Sequence, residues 1–350
     1  QNIAGLLPAS RRPPVYSELE LASWFVRDPV IAVTGSNGKT TTVSLIAKIF
    51  RDIGKQVWLG GNIGIPLSEY VLQGQPADVL VLEVSSFQLQ HTWTFHPQVA
   101  VFLNFYANHL DYHEDLDAYW RAKMNIFANQ QEGDAMILPS AWAKEVARES
   151  TGRASKTYLR SGAGYVCPAL RGAHNQENME AAVLACACFG VERAQAAEAI
   201  RTYPGLPHRM QMLGAIRGLR FVNDSKATTV EAQAAALRSF REPVLLLAGG
   251  KLKGGHPQRL ESLVAERVKV AGLFGASREI FEKAWGDSVP MFWKPSLEAA
   301  FQKIVSLGRP GDVVLLSPGT ASFDLFENYE HRGQAFIDLV NGLESLEKGL

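Results

Sequence analysis

Apolar runs and helical-period stripes alternate along this chain. The run Pro29-Val30-Ile31-Ala32-Val33 is continuous enough for a strand buried on both faces, and strands are predicted at 30–34, 56–59, 78–84 and 99–103. Between them Val43, Ile46, Ala47 and Phe50 fall on one helical face, and helices are predicted at 40–53, 65–73 and 115–128. Alternation of this kind builds a mainly parallel sheet with helices on both faces. Residues 134–172 yield no firm assignment, because Gly162-Ala163-Gly164 and Pro168 interrupt any long element. Helices resume at 176–189 and 192–202. Pro204-Gly205-Leu206-Pro207 then marks a hinge into a second α/β unit, with strands at 220–223, 243–248, 270–274 and 312–316, each followed by a helical stretch. Residues 1–22, where Pro13-Pro14 leads toward a short helix over Glu18 to Trp24, have no core of their own.

With 350 residues the chain exceeds one core of ordinary size. The expected domains are a front remnant and linker at 1–22, a central domain at 23–205 and a C-terminal domain at 206–350. Composition is globular, 47% hydrophobic and 20% charged, and 35 basic residues balance 35 acidic ones. No global field recruits nucleic acid or an anionic membrane, so any anion binding must be local. No apolar stretch reaches the length of a membrane span, and the polar start Gln1-Asn2 is no signal peptide. Cys167, Cys186 and Cys188 lack metal-type spacing, and Cys186 and Cys188 face different directions on a helix. They read as small buried thiols of a reducing cytoplasm. A cytoplasmic monomer is expected.

The chemistry concentrates at predicted strand ends. Val33-Thr34-Gly35-Ser36-Asn37-Gly38-Lys39-Thr40-Thr41 joins a strand to a helix, where backbone N–H groups and the positive end of the helix dipole suit a phosphate. Lys39 adds a charge toward the terminal phosphates of a nucleoside triphosphate, and the Thr40 hydroxyl is a Mg²⁺ ligand. The spacing is the compact G-x-x-G-K-T, with Val33 where the usual loop has its first glycine. Glu83 closes an otherwise apolar strand, an expensive place for a carboxylate unless a cation meets it. Asn104 to His113 follows the strand 99–103 and puts His109 on the same side of the sheet, ahead of a helix bearing Lys123. Further polar clusters are Gly172 to Asn178, Gly205 to Arg209, Asn223 to Thr229 and Ser317 to Asp324.

In order, these motifs resemble the ATP-dependent Mur ligases of peptidoglycan synthesis, over about residues 15–345. The segments are T-G-S-N-G-K-T, G-G-N-I-G at 60–64, L-E-V-S-S-F-Q-L at 82–89, N-H-L-D-Y-H with Lys123, H-N-Q-E-N, G-L-P-H-R, N-D-S-K-A-T and S-P-G-T-A-S-F-D. The last three resemble the branch that adds D-glutamate to UDP-N-acetylmuramoyl-L-alanine. The resemblance implies a P-loop-type central ATPase domain with a mainly parallel sheet, followed by a C-terminal Rossmann-like α/β domain. It implies ATP and two Mg²⁺ ions, one held by Thr40 and Glu83, the other by His109 with Lys123 carrying a carbamate. By the same resemblance, Gly35 to Thr41, Asn178, Arg209 and Asp224 contact the nucleotide. Lys226, Thr228, Lys253, Ser322 and Tyr329 grip D-glutamate, and Asn62 and His174 lie near the muramoyl substrate. The chain departs from the family at Asn108, Leu252 and Tyr329, and in the absence of N-A-D-D from 134–172. Of the family's uridine-diphosphate-binding front domain only residues 1–22 are expected, which implies weak capture of the UDP-linked substrate. A folylpolyglutamate-synthase-like ligase and a non-catalytic ATP-binding remnant are the alternative readings.

Overall fold

The computed structural model describes residues 14–106, 112–149, 152–160, 162–170 and 172–348. Two compact units meet between Pro204 and Gly205. The first contains, in chain order, α1 (Glu18–Ser23), β1 (Val30–Thr34), α2 (Lys39–Asp52), β2 (Val57–Gly61), α3 (Leu67–Gln73), β3 (Val79–Glu83), α4 (Ser86–Leu89), β4 (Val99–Phe102), α5 (Leu116–Met124), β5 (Ala135–Pro139), α6 (Ala143–Glu149), β6 (Ser155–Leu159), α7 (Ala173–Ala187) and α8 (Arg193–Arg201).

The strands form one sheet in the order β2-β3-β1-β4-β5-β6, every pair parallel. All five residues of β1 are buried, as a strand covered on both faces requires. Ile31 and Val33 enter a layer with α2, α7 and α8, whereas Val30 and Ala32 enter the opposite layer with α1, α3, α4 and α6. The chain leaves β1 through α2 on the first face and leaves β4 through α5, whose Met124 packs on the second. The carboxyl ends of β1 and β4 therefore border a crevice of the kind where such sheets bind ligands.

Helix α1, set apart in the sequence as lacking a core, borrows this one. Leu19 and Ala22 are buried in it, and the fully buried Glu20 carboxylate accepts from the backbone N–H groups of Trp93, Thr94 and Phe95, the Thr94 hydroxyl and the Trp24 indole. Burial raises the Glu20 carboxyl, but hydrogen bonds led by Thr94 and Trp93 outweigh it and hold the group below the usual carboxylate range. In the segment without assignment the chain forms β5, β6 and α6. Among the described residues strand β6, Ser-Lys-Thr-Tyr-Leu, pairs only with β5 and keeps a mostly exposed face, so it carries no continuous apolar run.

The second unit contains β7 (Gln211–Ile216), β8 (Leu219–Asn223), α9 (Val230–Arg238), β9 (Val244–Gly249), α10 (Glu261–Arg267), β10 (Val268–Phe274), α11 (Arg278–Trp285), β11 (Met291–Lys294), α12 (Leu297–Ser306), β12 (Val313–Leu316) and α13 (Tyr329–Lys348). Its sheet runs β11-β10-β9-β12-β8-β7, parallel except for the β7–β8 hairpin. That hairpin turns at Arg217-Gly218, both at positive φ, as a tight two-residue turn demands. Apolar layers cover both faces of this sheet.

Among the described residues no helix is long and apolar enough to cross a membrane. The expectation of three buried thiols needs one correction: Cys167 and Cys186 are buried, but Cys188 is exposed at the end of α7. Two positions apart on a helix cannot both face the core.

Candidate active site

The turn from β1 into α2 is tight because two glycines make it so. A Cβ on Gly35 would stand 3.0 Å from Leu103 Cβ, and one on Gly38 (φ 86°) would stand 2.3 Å from Asn178 Oδ1. Gly38 is also the N-cap of α2 and supplies no side-chain cap of its own. The N-terminus of such a helix presents backbone N–H groups and a positive dipole end that suit a phosphate. Lys39 Nζ folds back to donate to Gly35 O (2.9 Å) and Ser36 O (3.2 Å).

Glu83 ends β3 with its carboxylate buried and both oxygens met by donors. The Thr40 hydroxyl donates to Oε2 and the Asn62 amide to Oε1, each at 2.7 Å. Asn62, expected beside the muramoyl substrate, thus orients Glu83. Lys123 reaches the same place from α5: it is 1% exposed, and its Nζ donates to Gly35 O at 2.9 Å. Two lysine Nζ atoms therefore share one carbonyl. Burial, and then the nearby Lys39 charge, push the Lys123 amine down to about 7.

Asn178, from the first turns of α7, lies against Gly38 and donates to Asn175 Oδ1 at 3.1 Å. His174, at the start of the same helix, is exposed. His109 and the family departure Asn108 lie outside the described residues. Among the described residues no group of three His, Cys, Asp or Glu side chains stands ready for a metal. The Thr40–Glu83 pair nevertheless supplies adjacent oxygen ligands, the chemistry Mg²⁺ takes.

In the second unit, Asp224 follows β8 and is buried, accepting from Met210 N (3.2 Å) and the Ser317 hydroxyl (2.9 Å). Burial raises its carboxyl to about 7 against the pull of those bonds and of the Arg209 charge. Lys226 Nζ sits 3.7 Å from the centre of the Tyr329 ring, and burial followed by Glu330 pushes the Tyr329 hydroxyl up to about 12. Thr228 N–H donates to Lys226 O at 2.8 Å. Lys253 Nζ lies 4.5 Å from the centre of the Phe323 ring, next to buried Ser322. A two-way backbone bridge between Lys251 and Ala321 joins the loops after β9 and β12.

Two residues that organise this unit were given no role by the sequence reading. Arg332, fully buried on α13, donates to the Ser225 hydroxyl and to the carbonyls of Ser225, Gly249 and Thr320. It ties three strand-end loops together, and burial lowers its guanidinium to about 10. His208, at φ 60°, takes a hydrogen bond from Asn223 Nδ2 at 3.0 Å. The G-L-P-H-R segment flagged this histidine, but nothing in the pattern around Arg332 distinguishes it from a surface arginine.

Residues 33–164 match the family described as Mur ligase middle domain, and residues 208–319 match Mur ligase, glutamate ligase domain. A UDP-N-acetylmuramoylalanine--D-glutamate ligase of Oleidesulfovibrio alaskensis is 51% identical over 341 residues, covering 95% of this chain and 76% of that protein. A protein of the same description from Salinibacter ruber is 41% identical over 366 residues, covering 94% and 79%. Among solved structures, MurF ligase from Thermotoga maritima in complex with ADP superposes with a TM-score of 0.66 at 19% identity, covering 98% of this chain and 88% of that one. E. coli FolC in complex with DHPP and ADP gives 0.66 at 16% identity, covering 98% and 96%, a likeness of fold. With both family models matched and relatives half identical over most of its length, the chain that carries this glycine loop and the buried Glu83 and Lys123 belongs to the Mur ligase family.

Proposed function

We propose that the chain is an ATP-dependent ligase that joins D-glutamate to UDP-N-acetylmuramoyl-L-alanine through an acyl phosphate. The observation that carries the chemistry is the meeting of Lys39 and Lys123 at the Gly35 carbonyl, beside the Thr40–Glu83 pair. The α2 N-terminus receives the phosphates, and Lys39 exchanges its carbonyl partners for the phosphoryl oxygens on which charge grows. The substrate carboxylate takes the terminal phosphoryl group and ADP leaves. The D-glutamate amine then attacks the acyl phosphate, an amide bond forms, and phosphate departs as the nitrogen loses its proton.

Thr40 and Glu83 would hold one Mg²⁺, with Asn62 fixing the carboxylate. The second ion is assigned to His109 and Lys123. When bound, the metal supplies charge neutralisation on the transferring phosphoryl group. An ammonium would repel it, whereas the neutral amine that burial favours at Lys123 adds CO₂ to give a carbamate with oxygen ligands. Asn178, Arg209 and Asp224 are assigned to the nucleotide, and His174 to the muramoyl substrate. Lys226, Thr228, Lys253, Ser322 and Tyr329 offer cations and hydroxyls to the two carboxylates of D-glutamate.

A coupled assay of phosphate release with D-glutamate, L-glutamate and D-alanine tests the reading. Turnover is expected with D-glutamate, and about a hundredfold less with D-alanine, which leaves the side-chain carboxylate's cation partners unpaired. Equal rates with all three acceptors would overturn the assignment.

A further inference from the structure

We propose that Asn104 is a positioning residue of the phosphate loop, its side-chain amide acting as one more rung of the β1–β4 ladder. The two strands pair in parallel from Ile31↔Val99 to Thr34↔Phe102. Past their ends the main chains continue the pattern briefly, with Leu103 N–H donating to Thr34 O and Ser36 N–H to Asn104 O, both at 3.0 Å. There they part, since residues 35–38 turn into α2. The Asn104 side chain bridges the gap. Its Oδ1 accepts from Asn37 N–H at 2.9 Å and its Nδ2 donates to Asn37 O at 3.2 Å.

A carboxamide has the planar donor–acceptor pair of a peptide group. Aspartate keeps only the acceptor, alanine neither, and glutamine carries the pair one methylene too far. Ser36, the neighbouring residue, is fastened as well. Its hydroxyl donates to Tyr106 O (3.1 Å), accepts from Tyr106 N–H (2.9 Å) and meets the Tyr119 hydroxyl at 3.1 Å. Consecutive loop residues are thereby tied to the end of β4. A loop of Gly-Ser-Asn-Gly has much backbone freedom to lose when a phosphate orders it. Bracing Asn37 beforehand removes part of that cost and keeps the α2 N-terminus open to the ligand. The role rests on the proposed reading of this loop as the ATP site.

The test compares the parent chain with Asn104→Ala and Asn104→Asp. Amide hydrogen exchange of Asn37 is followed without nucleotide, ADP affinity is measured by calorimetry, and KM is determined for ATP and for D-glutamate. In Asn104→Ala, Asn37 should exchange about tenfold faster and ADP should bind about five- to thirtyfold more weakly, raising KM for ATP and leaving KM for D-glutamate in place. Asn104→Asp, which preserves shape and the acceptor, should keep the Asn37 protection and lose affinity through its charge beside the phosphates. Unchanged exchange or unchanged ADP affinity in Asn104→Ala overturns the proposal, as does equal loss of Asn37 protection in both variants. A parent chain that binds no ADP overturns the reading of function itself, and this role with it.

Discussion

Lys123 should be carbamylated near neutral pH, and the structure sets the expected extent. Carbamate forms only on a neutral amine. A solvated lysine, with its pKa near 10.4, leaves on the order of one amine in a few thousand neutral at pH 7. Burial, seconded by Lys39, brings Lys123 down to about 7, so about half of the molecules carry the reactive form, a gain of roughly a thousandfold. Carbon-13 NMR in labelled bicarbonate is the direct assay. A carbamate resonance should rise as pH passes through about 7 and vanish in Lys123→Ala. Lys39→Ala, which removes the lesser cause, should move that midpoint up by the smaller part of the shift. Activity should fall in CO₂-depleted buffer, and a short carboxylic acid should partly rescue Lys123→Ala. Stability has a definite sign as well. From about pH 7 to about pH 10 the unfolded chain holds a proton on this lysine that the folded chain has released, so stability rises with pH across that window. A resonance unaffected by Lys123→Ala, or one growing only near pH 10, would refute the reasoning.

Lys39→Ala should lower phosphoryl transfer by about a hundredfold or more with an unchanged urea midpoint; parental turnover in the folded variant would remove Lys39 from the mechanism. Asp224 is raised to about 7 by burial, so the folded chain binds the extra proton between about pH 4 and 7 and stability falls as pH rises through that window. Asp224→Asn should flatten this slope in urea titrations, and an unaltered slope would contradict the assignment. Glu20→Ala strips the acceptor from three backbone N–H groups and should cost about 3 kcal/mol or more, read as a lower urea midpoint; a loss near zero would mean that α1 is not held by this carboxylate.

The turn from β1 into α2 was legible in the sequence because phosphate chemistry and backbone geometry demand the same residues there. At Gly35 and Gly38, both at positive φ, a Cβ would be strained and would crowd Leu103 and Asn178, and Glu83 announces itself as a charge closing an apolar strand. Strands β5, β6, β7 and β11 were not legible, β5 lying in the segment 134–172 that yielded no assignment. β6 and β7 are edge strands with exposed positions, β7 is interrupted at Gly214, and β11 has four partly exposed residues. The residues that hold the site together were also hidden. Arg332 binds backbone carbonyls far away in the chain, and such bonds leave no trace in spacing. Asn62 lay inside a recognised motif, yet its hydrogen bond to Glu83 exists only because β2 and β3 are neighbours.

The central claim is that ATP activates the substrate carboxylate as an acyl phosphate before D-glutamate attacks. Oxygen-18 placed in the carboxylate of UDP-N-acetylmuramoyl-L-alanine tests it directly, with the released phosphate analysed by mass spectrometry. The account predicts one labelled oxygen in each phosphate released, in step with ADP and amide formation, and only when D-glutamate is present. Unlabelled phosphate, or labelled phosphate released at the same rate without D-glutamate, would contradict it.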